Sequence, residues 1–323
     1  MRFLVTGAGG CIGAWTVKLL LERSVEVVCY DVAADTERLS LISDATSWPL
    51  LRLEQGRIED TARVKDLVRQ EGITHIIHLA AVLMPFCQAN PVAGAMVNVI
   101  GTLNIFEAAR DAGRAVRVVY ASSSAVWGPE DAYNLDRPLT ETDPTLPRTH
   151  YGVFKQTNEN NARVFYHTNG ISSIGIRPWT VYGVGRDGGL TADATLAIKA
   201  AVLGQPYRIR LSGFMDLQYV EDVAETFIRS ALAGLEGAFV FNLAGTIIRM
   251  NDYIALLDRL RPGAAALISA QGPQVPVSYR MDDSALHSKI AGIPKTPLEE
   301  GVRKTFERFE ALQRAQRLNP DLG

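Results

Sequence analysis

The sequence predicts an α/β protein: a doubly wound parallel sheet with a smaller C-terminal lobe. Three observations carry this. Short β-branched runs alternate with helical patterns up to Tyr182. A glycine-rich turn joins the first run to the first helix. After Tyr182 the alternation breaks, and Gly183, Gly185, Gly188 and Gly189 punctuate a loop. Strand–helix alternation of the first kind calls for parallel strands covered by helices on both faces.

The elements follow in order. Residues 3–5 read as a strand and 12–23 as a helix with Ile12, Trp15 and Leu19 on one face. Residues 26–30 are a strand, and 61–70 a helix with Val64, Leu67 and Val68 at helical spacing. Residues 75–79, 117–121 and 173–176 are further strands, separated by helices near 92–110 and 150–168. These make a first unit over 1–182, with 183–323 mainly a second lobe. Within the latter, 216–244 is expected to return to the main sheet through runs 218–220 and 239–243. Residues 296–318 form one amphipathic helix carrying Leu298, Val302, Phe306 and Phe309.

Composition bounds the function. With 323 residues, 47% hydrophobic and 21% charged, the chain can bury a large core and is too apolar to be disordered. Lys plus Arg is 33 against 35 for Asp plus Glu, so no basic excess exists to hold a nucleic-acid backbone. No apolar run reaches the ~20 residues of a membrane span. The N-terminus runs straight into a strand and a glycine turn, unlike a signal peptide. Cys11, Cys29 and Cys87 lack metal-type spacing, so reduced thiols, a cytoplasmic setting and no metal are expected.

The glycine turn is Thr6-Gly7-Ala8-Gly9-Gly10-Cys11-Ile12-Gly13. Glycines at 7, 10 and 13 let backbone approach a pyrophosphate, and the helix N-terminus at Cys11 and Ile12 faces it with free N–H groups. The placement between strand and helix is that of a Rossmann-type dinucleotide site. Asp31 ends the second strand, where an acid accepts ribose hydroxyls and repels a 2′-phosphate, or else simply caps a turn. No Arg follows it immediately, which favours NAD over NADP.

Tyr151 and Lys155 stand at i and i+4, on one face of a helix. An ammonium beside a phenol favours phenolate, which makes Tyr151 a candidate general base. Ser122, Ser123 and Ser124 follow the strand 117–121, at the sheet end where ligands bind in open α/β folds. A hydroxyl there either polarises a carbonyl or caps a helix.

Taken together these residues resemble the extended short-chain dehydrogenase/reductase family, also called the NAD-dependent epimerase/dehydratase family. The series runs in family order: the glycine turn, His78-Leu79-Ala80-Ala81, Asn98 with Gly101-Thr102, and the serine run to Gly128. Tyr151 and Lys155, then Arg177-Pro178 to Arg186, Tyr219-Val220 with Asp222-Val223, and Leu298 to Val302 complete it. The resemblance implies an NAD-dependent enzyme acting on a small-molecule substrate. Tyr151 is its acid/base, Ser123 (with Ser124 next) the substrate-orienting hydroxyl, and Lys155 lowers the Tyr151 pKa and holds the nicotinamide ribose. Leu79, Ala80 and Ala81 line the cofactor, Asn98 supports it, and Pro178 and Trp179 lie near the nicotinamide. The backbone of Ile58 contacts adenine, since Arg57 replaces the family's adenine-contacting Asp. A homodimer through the helices near 92–110 and 150–168 is also implied.

Departures narrow this. Dehydratases of the family resemble one another in an Asp-Glu pair where Ser124-Ala125 stands, so dehydration is not expected. Nucleotide-sugar epimerases carry Asn at Thr180 and Arg at Met215, anchors for a diphosphate, and a Lys at Leu83. The expected reaction is therefore hydride transfer between NAD and a secondary alcohol or ketone of a sugar-like or hydroxy-acid substrate. The alternatives are a UDP-sugar 4-epimerase and, from another class, a non-catalytic NAD-sensing protein. Arg186 is a candidate for an anionic group. Thr191 either touches substrate or caps the helix that follows.

Overall fold

The computed structural model describes residues 1–43 and 48–322. Its strands are β1 (Arg2–Thr6), β2 (Glu26–Asp31), β3 (Leu51–Gln55), β4 (His75–His78), β5 (Arg117–Ala121), β6 (Ser173–Arg177), β7 (Thr180–Tyr182), β8 (Tyr207–Ile209), β9 (Phe214–Tyr219), β10 (Ala238–Asn242), β11 (Thr246–Arg249) and β12 (Ile268–Ala270). Seven make one sheet, in the order β10-β6-β5-β4-β1-β2-β3, with every neighbouring pair parallel. The chain moves outward from β1 to β3 and then crosses to the other side, so a crevice opens at the C-terminal ends of β1 and β4.

Both faces of this sheet are buried, and the residues alternate between two cores. Phe3, Val5, Val27 and Cys29 face a layer that includes the helices Cys11–Glu22 and Val220–Leu232. Leu4, Val28, Tyr30 and Ile76 face the helices Thr61–Gln70, Gly101–Asp111 and His150–Asn169. This is the physical content of the β-branched, nearly unbroken apolar strands.

The second half differs in one respect from expectation. Run 239–243 enters the main sheet as β10 beside β6. Run 218–220 does not: Gln218 and Tyr219 lie in β9, which pairs with β7 and β11 in a separate three-stranded sheet, and Val220 opens a helix. β9 is buried along almost its whole length like a core strand, so its apolar pattern alone does not say which sheet takes it. The helix Val220–Leu232 does return, packing along Cys11–Glu22. The edge strand β3 is half-polar and was not legible as a strand. The C-terminal helix is Leu298–Arg314, with Leu298, Val302, Phe306 and Phe309 buried.

The helical stretch Pro91–Asp111 corrects the expectation that no segment has the length of a membrane span: by length and composition it could cross a bilayer. Half of its most apolar window is buried within the protein, which is how a core helix passes the same test. A π-helical turn at Met96–Ile100 interrupts it and turns Asn98 inward.

Candidate active site

The glycine turn is built by contact. Gly7 sits at φ +69°, and a Cβ there would come within 2.6 Å of the Ala80 backbone nitrogen. A Cβ on Gly13 would come within 2.2 Å of the Gly7 carbonyl. Strand β1 therefore crosses residues 79–80 and enters its helix with no room for side chains. The helix begins after Gly10 with no side chain capping it and no acid in its first turn. Its free N–H groups border a cleft of about 350 Å³, lined by Gly7, Gly10, Cys11, Ile12 and Gly13 on one side and by Leu79, Ala81, Lys155 and Pro178 on another. An uncapped helix N-terminus and a cradle of glycines fit a dinucleotide pyrophosphate.

Asp31 ends β2, where its Oδ2 accepts from Gly9 N–H at 2.9 Å and its Oδ1 from Val32 N–H at 2.7 Å. It braces the glycine turn, and each oxygen keeps a lone pair for a further donor. Cys11 lines the cleft, but burial pushes its thiol up to about 12, so it is a packing residue there and no thiolate. His78 bonds Thr6 and Thr102 through its two ring nitrogens, and burial pushes it down to about 3. It is a neutral strand residue.

The helix His150–Asn169 brings Tyr151 and Lys155 to the cleft. Thr149 caps it, its Oγ1 accepting from Gly152 N–H at 3.1 Å. Gly152 is the reason the helix comes so near: a Cβ there would meet the Ala125 carbonyl at 2.1 Å. That contact sets Tyr151 against the short turn Ser124–Val126, where the Ser123 hydroxyl is near enough to pull the phenol's pKa down. Ser123 Oγ also accepts from Ala125 N–H at 3.1 Å, so it both caps that turn and faces Tyr151.

The electrostatics differ from the simple tyrosine–lysine picture. Burial holds the Tyr151 phenol up at about 12. The influences that pull it down are the Ser123 hydroxyl and the charge of Arg186. Lys155 is not among them. Its ammonium is 5.5 Å from the phenol ring centre and donates to the Ala121 carbonyl at 2.7 Å. Burial in turn pushes Lys155 down to about 8.

Beyond Ser123 and Tyr151 the cleft opens into a smaller pocket of about 120 Å³. Ser124, Thr180, Arg186 and Thr191 supply its polar groups, and Met84, Trp179, Leu190, Val275 and Val277 much of its apolar wall. The Thr180 hydroxyl is buried with no partner. Arg186 donates from Nη2 to Thr191 Oγ1 at 3.0 Å, its Nε is buried with no partner, and no carboxylate among the described residues forms an ion pair with it. Met215 is core, 1% exposed, and takes no part.

Four expected cofactor residues stand back from the cleft lining: Asp31, which braces the glycine turn, and Ala80, Asn98 and Ile58. Ala80 serves through its backbone, donating to Thr6 Oγ1 at 3.3 Å under the Gly7 turn. Asn98 bonds the Val82 and Gly94 carbonyls at 3.1 and 3.0 Å and so braces the wall that Ala81 presents. Ile58 is 4% exposed, packs on Gly101, and its carbonyl accepts from Asn104 at 2.9 Å. Arg38 was missed, although a basic residue shortly after a strand-end Asp is a signal. Val275 and Val277 carry no local signal, since only the tertiary fold brings their loop to the pocket.

A parallel sheet with a glycine cradle at its crevice, and a serine–tyrosine–lysine group beside it, defines an NAD-dependent oxidoreductase of the extended short-chain dehydrogenase/reductase type. The sequence pattern of the NAD dependent epimerase/dehydratase family matches residues 3–244, and the chain belongs to that family. It is 28% identical to UDP-glucuronate 4-epimerase 2 of Arabidopsis thaliana, over 93% of this chain and 74% of that protein. Identity to the UDP-glucose 4-epimerase of Mycolicibacterium smegmatis is also 28%, over 96% and 98%. The crystal structure of the UDP-glucose 4-epimerase of Thermus thermophilus in complex with NAD superposes with a TM-score of 0.80 at 25% identity, covering 96% of this chain and 99% of that one. The cofactor is NAD, which the residues of the glycine cradle fit.

Proposed function

We propose that this enzyme is a dehydrogenase that oxidises a secondary alcohol on a small, carboxylate-bearing substrate, a hydroxy acid or a sugar acid. The observation that carries this reading is Arg186, a cation without an acidic partner beside the reacting tyrosine. An ion-pairing, hydrogen-bonding anion is what such a guanidinium recognises. Thr191 and the unpartnered Thr180 hydroxyl complete a polar seat, with Ser124 at its edge.

Bound NAD would supply a hydride acceptor and, in its oxidised form, a positive charge near the phenol. The chain does the rest. Ser123 holds the substrate oxygen, and Tyr151 takes its proton. The Ser123 hydroxyl draws the phenol down towards the phenolate, as the Arg186 charge does until a carboxylate pairs with it. Lys155 and the strand ends fix the reacting end of the cofactor, while Gly7, Gly10 and Gly13 with the first helical turn take its pyrophosphate. Asp31, at the end of β2, would accept from the adenosine ribose hydroxyls, an arrangement that favours NAD over NADP.

The pocket beside Tyr151, about 120 Å³, suits a hydroxy acid or sugar acid. A second reading, an epimerase that keeps the keto form and returns the hydride to the opposite face, is supported by relatives named as UDP-glucuronate and UDP-glucose 4-epimerases. A screen with NAD over sugar acids, hydroxy acids, free sugars and UDP-sugars separates them. Net NADH with an acid supports the dehydrogenase. Conversion of a UDP-sugar without net NADH supports the epimerase and overturns our reading.

We also propose a homodimer. Val92, Met96, Val153 and Val164 are exposed, apolar and carried by the two helical stretches expected to pair. Three free cysteines support a reducing, cytoplasmic setting.

A further inference from the structure

We propose that Arg38 is a positioning residue for the substrate site: it holds Asp187 away from Arg186 and so keeps that guanidinium free for a carboxylate. This rests on the role given to Arg186 above.

Arg38 lies on the short helix Glu37–Ile42, well away in sequence from the loop it grips. Its Nη2 donates to Asp187 Oδ1 at 2.7 Å and its Nε to the Gly185 carbonyl at 3.2 Å. Those two contacts fall on either side of Arg186. The remaining Nη1 donates to the Gly9 carbonyl at 2.7 Å, and Gly9 N–H is held by Asp31. One guanidinium thus ties the glycine turn to the loop that carries the substrate cation. Trp15, on the first helix, adds a bond from its Nε1 to the Val184 carbonyl at 2.9 Å.

The consequence follows from charge. Asp187 is the chain neighbour of Arg186, on a loop whose next two residues are glycines. A carboxylate so close and so loosely followed is the natural partner for Arg186, and pairing would neutralise it. Arg38 prevents this with a two-nitrogen grip, the geometry that suits guanidinium to carboxylate. The grip has a firm base. Leu39 and Ile42 are buried, and the carbonyls of Ser40 and Leu41 accept from Arg317 and Arg308 near the C-terminus.

The test is calorimetric titration of the NADH-loaded protein, in which the alcohol cannot be oxidised, with glycerate and, in parallel, glucuronate. Arg38→Ala is expected to weaken the bound acid about tenfold, the scale of a lost charge partner. Arg38→Ala with Asp187→Asn, which has no carboxylate left to capture Arg186, is expected to recover to within about threefold of the parent. Arg38→Ala binding the acid like the parent overturns the proposal. So does a double variant as weak as Arg38→Ala, or a loss confined to NAD affinity, which makes Arg38 a cofactor clasp. Should neither acid bind the parent, or should Arg186→Ala bind them equally well, the carboxylate reading itself falls and takes this one with it.

Discussion

Lys155 carries a cost that the role proposed for it explains. It is 4% exposed, and burial pulls its ammonium from 10.5 to about 8. The folded state therefore binds that proton less tightly than the unfolded chain. The penalty is present in full below about pH 8, fades as pH rises towards 10.5, and is gone above it. At pH 7 it amounts to roughly 3 kcal/mol, offset in part by the bond to Ala121. Lys155→Met is accordingly expected to gain roughly 1–3 kcal/mol of stability at pH 7 while losing activity, with the gain over the parent shrinking through the pH 8 to 10.5 window. Urea unfolding at several pH values measures it, and a variant less stable at pH 7 contradicts it. Tyr151, Lys155 and Ser123 were legible because helical spacing and strand-end position are local facts. The field around Tyr151 was not, because the Arg186 charge arrives through a fold-dependent contact.

At the level of elements, the site depends on how closely the helix His150–Asn169 approaches the turn Ser124–Val126. Gly152 is the point of contact, with the Ala125 carbonyl occupying the place of a Cβ. Backbone on both sides leaves nothing flexible to yield. Gly152→Ala is expected to cost about 1–3 kcal/mol through overpacking, and to lower kcat more than substrate KM because Tyr151 moves off Ser123. Unfolding and steady-state kinetics together check this, and wild-type values for both would contradict it. Most core strands and the long helices could be read from alternation and period. β7, β9 and β11 could not be assigned to their small sheet, because partner choice is not written in a strand's own pattern. The π-helical turn at Met96–Ile100 was likewise invisible within an apolar helix.

For the molecule as a whole, the doubly wound topology fixes where chemistry can occur. The glycine turn, the serine run and Tyr151 come from distant parts of the chain and meet because β1, β4 and β5 are neighbours. That convergence was legible, since the crossover pattern is a rule of the fold class. The small sheet and the loops after Tyr182 that shape the substrate pocket were not. At this scale the exposed apolar residues on Pro91–Asp111 and His150–Asn169 predict association, so light scattering should report twice 35.3 kDa. A mass of one chain at micromolar concentration would refute the pairing.

The central claim is that Tyr151 moves the substrate proton beside bound NAD. Its most direct measurement pairs NADH formation with NAD affinity in Tyr151→Phe. The variant keeps the ring and loses only the hydroxyl. NAD affinity within about threefold of the parent and turnover reduced by about 10²–10⁴-fold is the expected result. Turnover equal to the parent's would contradict the account.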